Sequence, residues 1–189
     1  MRNLLLSSLL ALGLAGAVSA QTAAPEPALD PTAQEAPISF GGPDPVRIET
    51  ASGDTHVIMA ELATTLEQKQ RGMMWREAVA PGTGMLFQYA PPESAAMWMR
   101  NTLVDLDIIF IAPDGEIVKI IAFAQAESLR SLPAEALVAG VLELGAGQAI
   151  ELGLRPGDSV HHAIFGNDSE PDMPADAGVA AEESPTEAQ

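Results

Sequence analysis

The strongest constraint in this 189-residue chain is a pair of apolar runs, "LDIIFIA" and "EIVKIIAF", separated by "PDG". Both runs are rich in β-branched residues, and Pro-Asp-Gly is typical of a turn that reverses an extended chain. The first run is apolar on both faces after its aspartate, so it lacks the alternation of a half-buried strand. The pattern therefore predicts a β-hairpin whose first strand lies in the middle of the structure.

Shorter runs on either side predict the rest of the fold. A second hairpin is indicated by "VRIET" and "HVIMAEL" around "SGD", and further strands by "GMLFQY", "AMWMR", "GVLEL" and "DSVHHAIF". A short helix is expected at "TTLEQKQRGMMW", where Thr64 and Glu67 form a capping box and Gly72 is placed for a left-handed cap. Together these elements predict a mainly β fold, a sandwich or open barrel of about eight short strands with one or two short helices.

The two ends of the chain differ from this central part in composition. Residues 1–20 carry Arg2, an apolar run too short to span a bilayer and the small residues "VSA", which is typical of a cleavable signal peptide. Residues 21–45 and 166–189 are rich in Pro, Ala and acidic residues, so we expect a disordered linker and an acidic disordered tail. The folded domain is predicted at 46–165. The protein is expected to be periplasmic or secreted, not membrane-spanning, and a monomer.

Charge and motif content exclude several functional classes. The net charge is −17, and the predicted domain has 15 acidic and 8 basic residues, which argues against a nucleic-acid partner. The chain has no cysteine, which rules out thiol nucleophiles, thiol redox chemistry and zinc–thiolate sites. It also lacks a P-loop, a Gly-x-Ser-x-Gly elbow and a His-Glu-x-x-His pair. No cofactor is predicted, and whether the protein is an enzyme stays uncertain.

Asp105 and Asp107 form the first candidate site. At a spacing of two on an extended chain they share a face, so they could bind a hard cation or act as acid and base. The alternative, which we favour, is structural: Asp105 belongs to a turn, and Asp107 accepts hydrogen bonds from nearby backbone N–H groups.

Glu143 is the second candidate, because a carboxylate within the apolar run "VLEL" is costly unless it is paired. The plausible partners are Arg71, Arg76 and Arg100, either in a structural ion pair or around a pocket. A hydrolase that used Glu143 with Asp107 would need both carboxyl groups in one cleft, within about 10 Å of each other.

The methionines form a third candidate cluster, since thioethers can bind a soft metal ion such as copper. Five of them stand at core-like positions in the sequence, Met73, Met74, Met85, Met97 and Met99. Because methionine fills irregular cores well, core packing is the favoured interpretation and no metal site is predicted.

Trp98 marks the fourth candidate. If "AMWMR" is a strand, Trp98 and Arg100 share one face, and with Asn101 they form an amphipathic rim suited to a sugar or another polar ligand with an apolar face. The alternative is that Trp98 anchors the core with its N–H satisfied. The sequence does not separate the two.

Four blocks of this chain resemble the DUF192 family in order and spacing: "QRGMMWRE", "GTGMLFQY", "MWMRNTLVDLDIIFIAPDGEIVKI" and "VLELGAGQAIELGLRPGDSV". The family's usual Gly-Leu-Met-Phe-Arg stands here as Gly-Met-Met-Trp-Arg, and Val104–Asp105 replaces its usual Ile-Pro, which weakens a role for Asp105. The resemblance implies a compact, mainly β, jelly-roll-like domain, and it implies no activity. The polar signature that it carries over falls on Arg71, Arg76, Trp98, Asn101, Thr102, Asp107, Glu143 and Asp158.

These observations favour an exported single-domain protein that binds a small ligand or cell-envelope component without catalysis. A hydrolase and a structural or partner-docking domain remain as alternatives. The predicted ligand-binding residues come from separate segments of the chain: Arg71, Arg76, Trp98, Arg100, Asn101, Thr102, Asp107 and Glu143.

Overall fold

The structure, a computed structural model, describes residues 29–168. The predicted signal peptide, residues 21–28 of the predicted linker and nearly all of the predicted acidic tail lie outside the described residues. Within residues 29–168, no helix is long and apolar enough to cross a membrane.

The described residues form nine β-strands and two short α-helices, so the prediction of a mainly β fold is confirmed. In chain order the elements are β1 Gly41–Glu49, β2 Thr55–Ala63, α1 Leu66–Arg71, β3 Thr83–Glu93, β4 Ala96–Met97, β5 Leu106–Ile111, β6 Ile117–Ala124, β7 Leu132–Pro133, β8 Val138–Gly145, α2 Gln148–Glu151 and β9 Ser159–His161. A 3₁₀ turn at Ala163–Phe165 follows the last strand.

Seven strands build one curled sheet in the order β6-β5-β8-β3-β2-β1-β9, and β4 pairs with β7 separately. All neighbours in the large sheet are antiparallel except β2 and β3. A bridge between Glu116 and Ser159 links β9 back to the start of β6, so the sheet nearly closes on itself. Of the two predicted architectures, the structure therefore shows the open barrel.

The predicted hairpin lies at the centre of this arrangement. Its first strand, β5, is buried at every position and is flanked by β6 and β8, which is why its sequence is apolar on both faces. Side chains that point into the barrel form an inner core to which all seven strands contribute, including Ile48, Ile109 and Leu142. Side chains on the other face of β3, β5 and β8 form an outer core, including Phe87 and Ile108.

Helix α1 begins one residue later than the sequence predicted. Thr65 is its N-cap, and Thr65 and Gln68 form the reciprocal capping box that we had expected from Thr64 and Glu67. Gly72 ends the helix at φ 47°, and a Cβ atom there would lie 3.1 Å from the Phe87 ring. Glycine is therefore needed at this position both for the backbone turn and for close packing on the outer core.

The predicted disordered linker is wrong for its described part. Strand β1 already begins at Gly41, and residues 29–36 fold against the domain as a segment that we call the N-terminal strap. Arg71, which is 8% exposed, donates to four backbone carbonyl oxygens of the strap, and the indole N–H of Trp75 donates to a fifth, at 2.9 Å. Low apolar content did not prevent ordering, because the domain supplies the hydrogen-bond donors.

Candidate ligand-binding site

Glu143 stands in the middle of β8, opposite Met85 of β3 on one side and Ile108 of β5 on the other. It projects into the outer core and is 3% exposed. Among residues 29–168, no side chain or backbone group makes a hydrogen bond or ion pair with its carboxyl group. Burial raises the pKa of Glu143 to about 8, an effect that the positive charge of Arg76 partly offsets.

None of the three arginines predicted as partners forms an ion pair with Glu143, so the structural ion pair is wrong, whereas the alternative of an arginine and Glu143 lining one pocket holds for Arg71. Arg76 forms an ion pair with Glu61, with 2.5 Å between Nη2 and Oε2. The guanidinium of Arg71 is bound to the strap carbonyls, and that of Arg100 lies 5.5 Å from the centre of the Trp98 ring. Glu143 is therefore a buried acid without a partner rather than half of a structural ion pair.

A narrow cavity of about 20 Å³ opens beside Glu143, and we call it the Glu143 chamber. By volume it accommodates a group of about the size of one water molecule. The walls come from α1 and the turn after it, from β3 and β4, and from the segment around Trp98. They comprise Lys69, Gln70, Arg71, Gly72, Met73, Met74, Phe87, Met97, Trp98, Thr102 and Glu143.

A wider hollow of about 600 Å³, the Trp98 cleft, adjoins the chamber and shares Lys69, Gln70 and Trp98 with it. Its remaining walls are Arg100 and the strap residues Leu29, Asp30, Pro31 and Thr32. The strand predicted at "AMWMR" spans only Ala96–Met97, but burial alternates beyond it as predicted, because Met97 and Met99 are buried while Trp98 is 46% exposed. The alternative of Trp98 as a buried core anchor is thereby excluded.

Thr102 and Asn101 have different parts in this site. Thr102 is buried, lines the chamber and accepts a hydrogen bond from the Glu127 N–H at its carbonyl. Asn101 does not line the chamber or the cleft. It takes a left-handed conformation at φ 57°, and its carbonyl accepts the Trp75 N–H at 2.9 Å, so it shapes the turn beside the site.

Asp107 does not belong to the site, and the proposed pair with Glu143 is wrong. Asp107 lies opposite Leu144 on β8, and Glu143 is the preceding residue of that strand, so the two carboxyl groups project from opposite faces of the sheet. Asp107 is fully buried and accepts hydrogen bonds from the backbone N–H groups of Phe123 at 2.9 Å and Ala149 at 2.8 Å. The structural interpretation of Asp107 is therefore the right one.

Asp105 and Asp158 are likewise structural. Asp105 accepts a hydrogen bond from the Ala126 N–H at 2.7 Å. Asp158 is buried and accepts from Ala51 at 2.8 Å and from Arg155 at 2.6 Å, which fixes the turn in "RPGD". Both residues satisfy backbone donors that have no strand partner.

The sequence did not point to several wall residues of the site. Lys69 and Gln70 lie on α1, and the strap residues belong to a segment without apolar periodicity. The methionines were predicted to be core residues and all five are buried, but Met73, Met74 and Met97 also line the chamber. These three methionines lie on the turn after α1 and on β4, and only the fold brings them beside Glu143.

Other concave regions have weaker claims. A hollow of about 500 Å³ is lined by three acidic residues, Glu77, Asp105 and Glu151, but none of them is buried. Among the described residues, no three His, Cys, Asp or Glu side chains are grouped so that they could hold a metal ion. The chamber and cleft together are distinguished by their buried acid.

The fold and this site define a mainly β protein whose curled sheet carries a covered cleft on its outer face. The family model for DUF192, described as "Uncharacterized ACR", matches residues 47–162, and the chain belongs to this family. The matched region includes Glu143, Trp98 and the wall residues of α1, whereas the strap precedes it. No curated protein matches the chain.

Two crystal structures are similar to this chain over most of the domain. A protein from Sinorhizobium meliloti 1021, named provisionally as a transcription regulator, is 41% identical with a TM-score of 0.65, over 67% of this chain and 98% of that one. A protein of unknown function from Novosphingobium aromaticivorans DSM 12444 is 40% identical with a TM-score of 0.60, over 62% of this chain and 84% of that one.

Proposed function

We propose that this protein is an exported, non-catalytic binding protein that holds a small ligand in the Trp98 cleft, with one end of the ligand in the Glu143 chamber. Export is supported by the signal-peptide pattern of residues 1–20. The observation that best supports ligand binding concerns Glu143. This residue is a buried acid without a partner among the described residues, and it lies at the base of the cleft.

An unpaired buried acid is expensive to keep. Transfer of a polar group to an apolar site without a hydrogen bond costs on the order of 1–3 kcal/mol in proteins, and an ionised carboxylate costs more. Replacement by an apolar residue would avoid this cost, as is seen for many buried charges. A ligand that satisfies the carboxyl group on binding gives a physical reason for an acid at this position.

The composition of the cleft suits a ligand with both polar and apolar parts. Trp98 offers a half-exposed ring, and Lys69, Gln70 and Arg100 offer polar groups around it. An aromatic surface bordered by a few polar side chains is typical of small-molecule sites. An envelope saccharide or a metabolite of similar character fits this description.

Catalysis by a carboxylate pair is not part of the proposal, because Asp107 and Glu143 project from opposite faces of the sheet. A regulatory role on DNA, as the name of the Sinorhizobium meliloti protein suggests for that protein, has little support here. The predicted domain has nearly twice as many acidic as basic residues, and a DNA-binding surface needs the reverse.

The proposal is tested by titrating the purified protein with a panel of envelope saccharides and metabolites while Trp fluorescence is followed. Trp75 also fluoresces, so the titration is repeated with W98F, which leaves Trp75 as the remaining tryptophan. We expect a ligand whose signal is lost or strongly weakened in W98F. L137A removes an exposed apolar side chain outside the cleft walls and serves as the matched control.

Partner docking is a second candidate, favoured by exposed apolar side chains around the cleft. Trp98 is accompanied there by Leu29 and Leu129, which are 62% and 72% exposed. Docking through this surface predicts that L129D abolishes a complex that remains intact in L137D. Light scattering of the wild type reports whether the partner is a second copy of the chain, against the expectation of a monomer.

A further inference from the structure

We infer that the Glu143 chamber receives the ammonium group of a primary amine, and that the rest of this ligand lies along the Trp98 cleft. The inference rests on the proposed function and names the chemical class of the ligand. It follows from what the chamber walls offer, from the size of the chamber and from the position of its one acid.

The chamber wall is rich in sulfur atoms and aromatic faces. Three thioethers (Met73, Met74, Met97) and the rings of Phe87 and Trp98 line it beside the carboxyl of Glu143. The Met74 sulfur already accepts a hydrogen bond from the Asn101 side-chain amide at 3.8 Å, and the Met97 sulfur accepts one from the Tyr89 hydroxyl at 3.5 Å. Thioether sulfur accepts hydrogen bonds only weakly and donates none, and aromatic faces attract cations. Such a lining favours a positively charged donor over an anion or an acceptor.

The cationic side chains at the chamber wall are committed to other partners. Lys69 donates to the Gln88 carbonyl at 3.1 Å, and its Nζ lies 4.8 Å from the centre of the Tyr89 ring. The Arg71 guanidinium is bound to the strap. Neither cation makes an ion pair with Glu143, so both oxygens of its carboxyl group are left for a ligand.

The volume of the chamber selects the head group. About 20 Å³ admits a group of one heavy atom with its hydrogens, such as –NH₃⁺, but not a trimethylammonium group or a guanidinium. A carboxylate or phosphate head group is larger, and its negative charge would lie unfavourably close to the acidic side chain of Glu143. An ammonium donates three hydrogen bonds, and the two carboxylate oxygens of Glu143 and the sulfur of Met73 are the acceptors that the wall offers to it.

Binding of an ammonium should release a proton. In the free protein burial raises the pKa of Glu143 to about 8, so the carboxyl is protonated at pH 7. The charged group that acts on its pKa is Arg76, from the turn after α1, and Lys69 and Arg71 also line the chamber. Burial and the charge of Glu143 in turn raise the pKa of Tyr89 on β3. An ammonium beside Glu143 stabilises the carboxylate, so affinity should rise by up to tenfold per pH unit until about pH 8.

The test uses butylamine as the probe, with butanol and butyrate as matched neutral and anionic probes. Binding is followed by ¹H–¹⁵N NMR shifts of Gly72 and Thr102, which line the chamber, at pH 6 and pH 8. We expect saturable shifts with butylamine only, at least tenfold tighter at pH 8, and uptake of the released proton by the buffer in calorimetry. E143Q, checked for an unchanged fold by NMR, should lose the binding at both pH values.

Four outcomes overturn the inference. Equal binding of butanol and butylamine shows that the chamber selects shape rather than charge. Butylamine binding that survives E143Q places the amine elsewhere. Tight binding of Ag⁺ that is lost in M97L but kept in E143Q identifies the chamber as a thioether metal site instead. If saccharides bind in a Trp98-dependent way and amines do not, the ligand class is wrong while the proposed function stands.

Discussion

Asp107 and Glu143 are buried acids on neighbouring strands of the same sheet, but their surroundings differ completely. Asp107 faces the inner core and accepts two backbone N–H groups, whereas Glu143 faces the outer core and has no partner among the described residues. The first acid holds the end of β6 and the start of α2 in place. The second stabilises no neighbouring element through hydrogen bonds. The burial of an acid and the apolar sequence around it therefore do not distinguish a structural acid from a functional one.

The largest effect is expected from D107A. The substitution leaves the N–H groups of Phe123 and Ala149 buried without acceptors, which should lower the free energy of unfolding by about 3–5 kcal/mol. Urea denaturation measures this loss. D105A is the matched control, since Asp105 accepts one hydrogen bond near the surface, and should cost about 1 kcal/mol. Equal losses in the two variants would contradict a structural role specific to Asp107.

A second effect concerns the pH dependence of stability at Glu143. The pKa of this group is about 8 in the folded protein and about 4.5 when exposed, so the folded state binds the proton more tightly. Its contribution to stability is complete below pH 4.5 and is lost as the pH rises towards 8, by up to about 1.4 kcal/mol per pH unit. The comparison of wild type with E143Q by urea denaturation at pH 5, 6.5 and 8 isolates this contribution.

The stability of E143Q relative to the wild type should therefore increase as the pH rises, and E143Q should be the more stable by about 4 kcal/mol at pH 8. The E61Q variant, which removes a half-exposed carboxylate of the same sheet face, should show no such trend. A constant difference between wild type and E143Q over this pH range would mean that Glu143 is ionised throughout, and the contrast with Asp107 would disappear.

A third prediction tests whether Arg71 holds the strap against the domain beside the Glu143 chamber. R71A removes the donor to four strap carbonyls and should cost about 2 kcal/mol while making residues 29–45 sensitive to protease. R71K keeps the charge but not the planar fork, so it should recover little of the loss. R130A, a change at an exposed arginine, is the control. Protease resistance that is equal in R71A and R130A would contradict the role of Arg71.

The smallest effect is expected at Arg76. R76Q breaks a half-exposed ion pair with Glu61 and should cost no more than about 1 kcal/mol. The same change removes the positive charge that lowers the pKa of Glu143, so this pKa should rise further. A ¹³C NMR titration of the Glu143 carboxyl measures the shift. An unchanged pKa would show that Arg76 acts on Glu61 alone.

The contrast between the two acids shows what the sequence predicts and what it leaves undetermined. The buried β5–β6 hairpin, the alternation around Trp98 and the oddity of Glu143 were all predicted, because period and local composition determine them. Whether Asp107 and Glu143 lie on the same face of the sheet depends on the register between β5 and β8. The sequences of the two strands do not indicate this register. That register alone rejects the carboxylate pair.

The partners of the arginine side chains could not be predicted from the sequence either. Arg71 is bound by carbonyl groups of the strap, and backbone acceptors exist in every segment of the chain regardless of its side chains. The composition of residues 29–36 indicated disorder, since it offers little apolar surface to bury. The hydrogen bonds that order this segment come from Arg71 and Trp75, some forty residues further along the chain.

The pairing of β1 with β9 has a consequence for how quickly this domain forms. Arg47 lies opposite His161, so the two strands that complete the barrel are separated by nearly the whole domain. Contacts of such sequence separation are made late, because closing a long loop costs entropy before the contact repays it. The local β5–β6 hairpin can therefore form early, while the last strand docks as the slow step, and a chain cut before Ser159 would leave the β1 edge open to other strands.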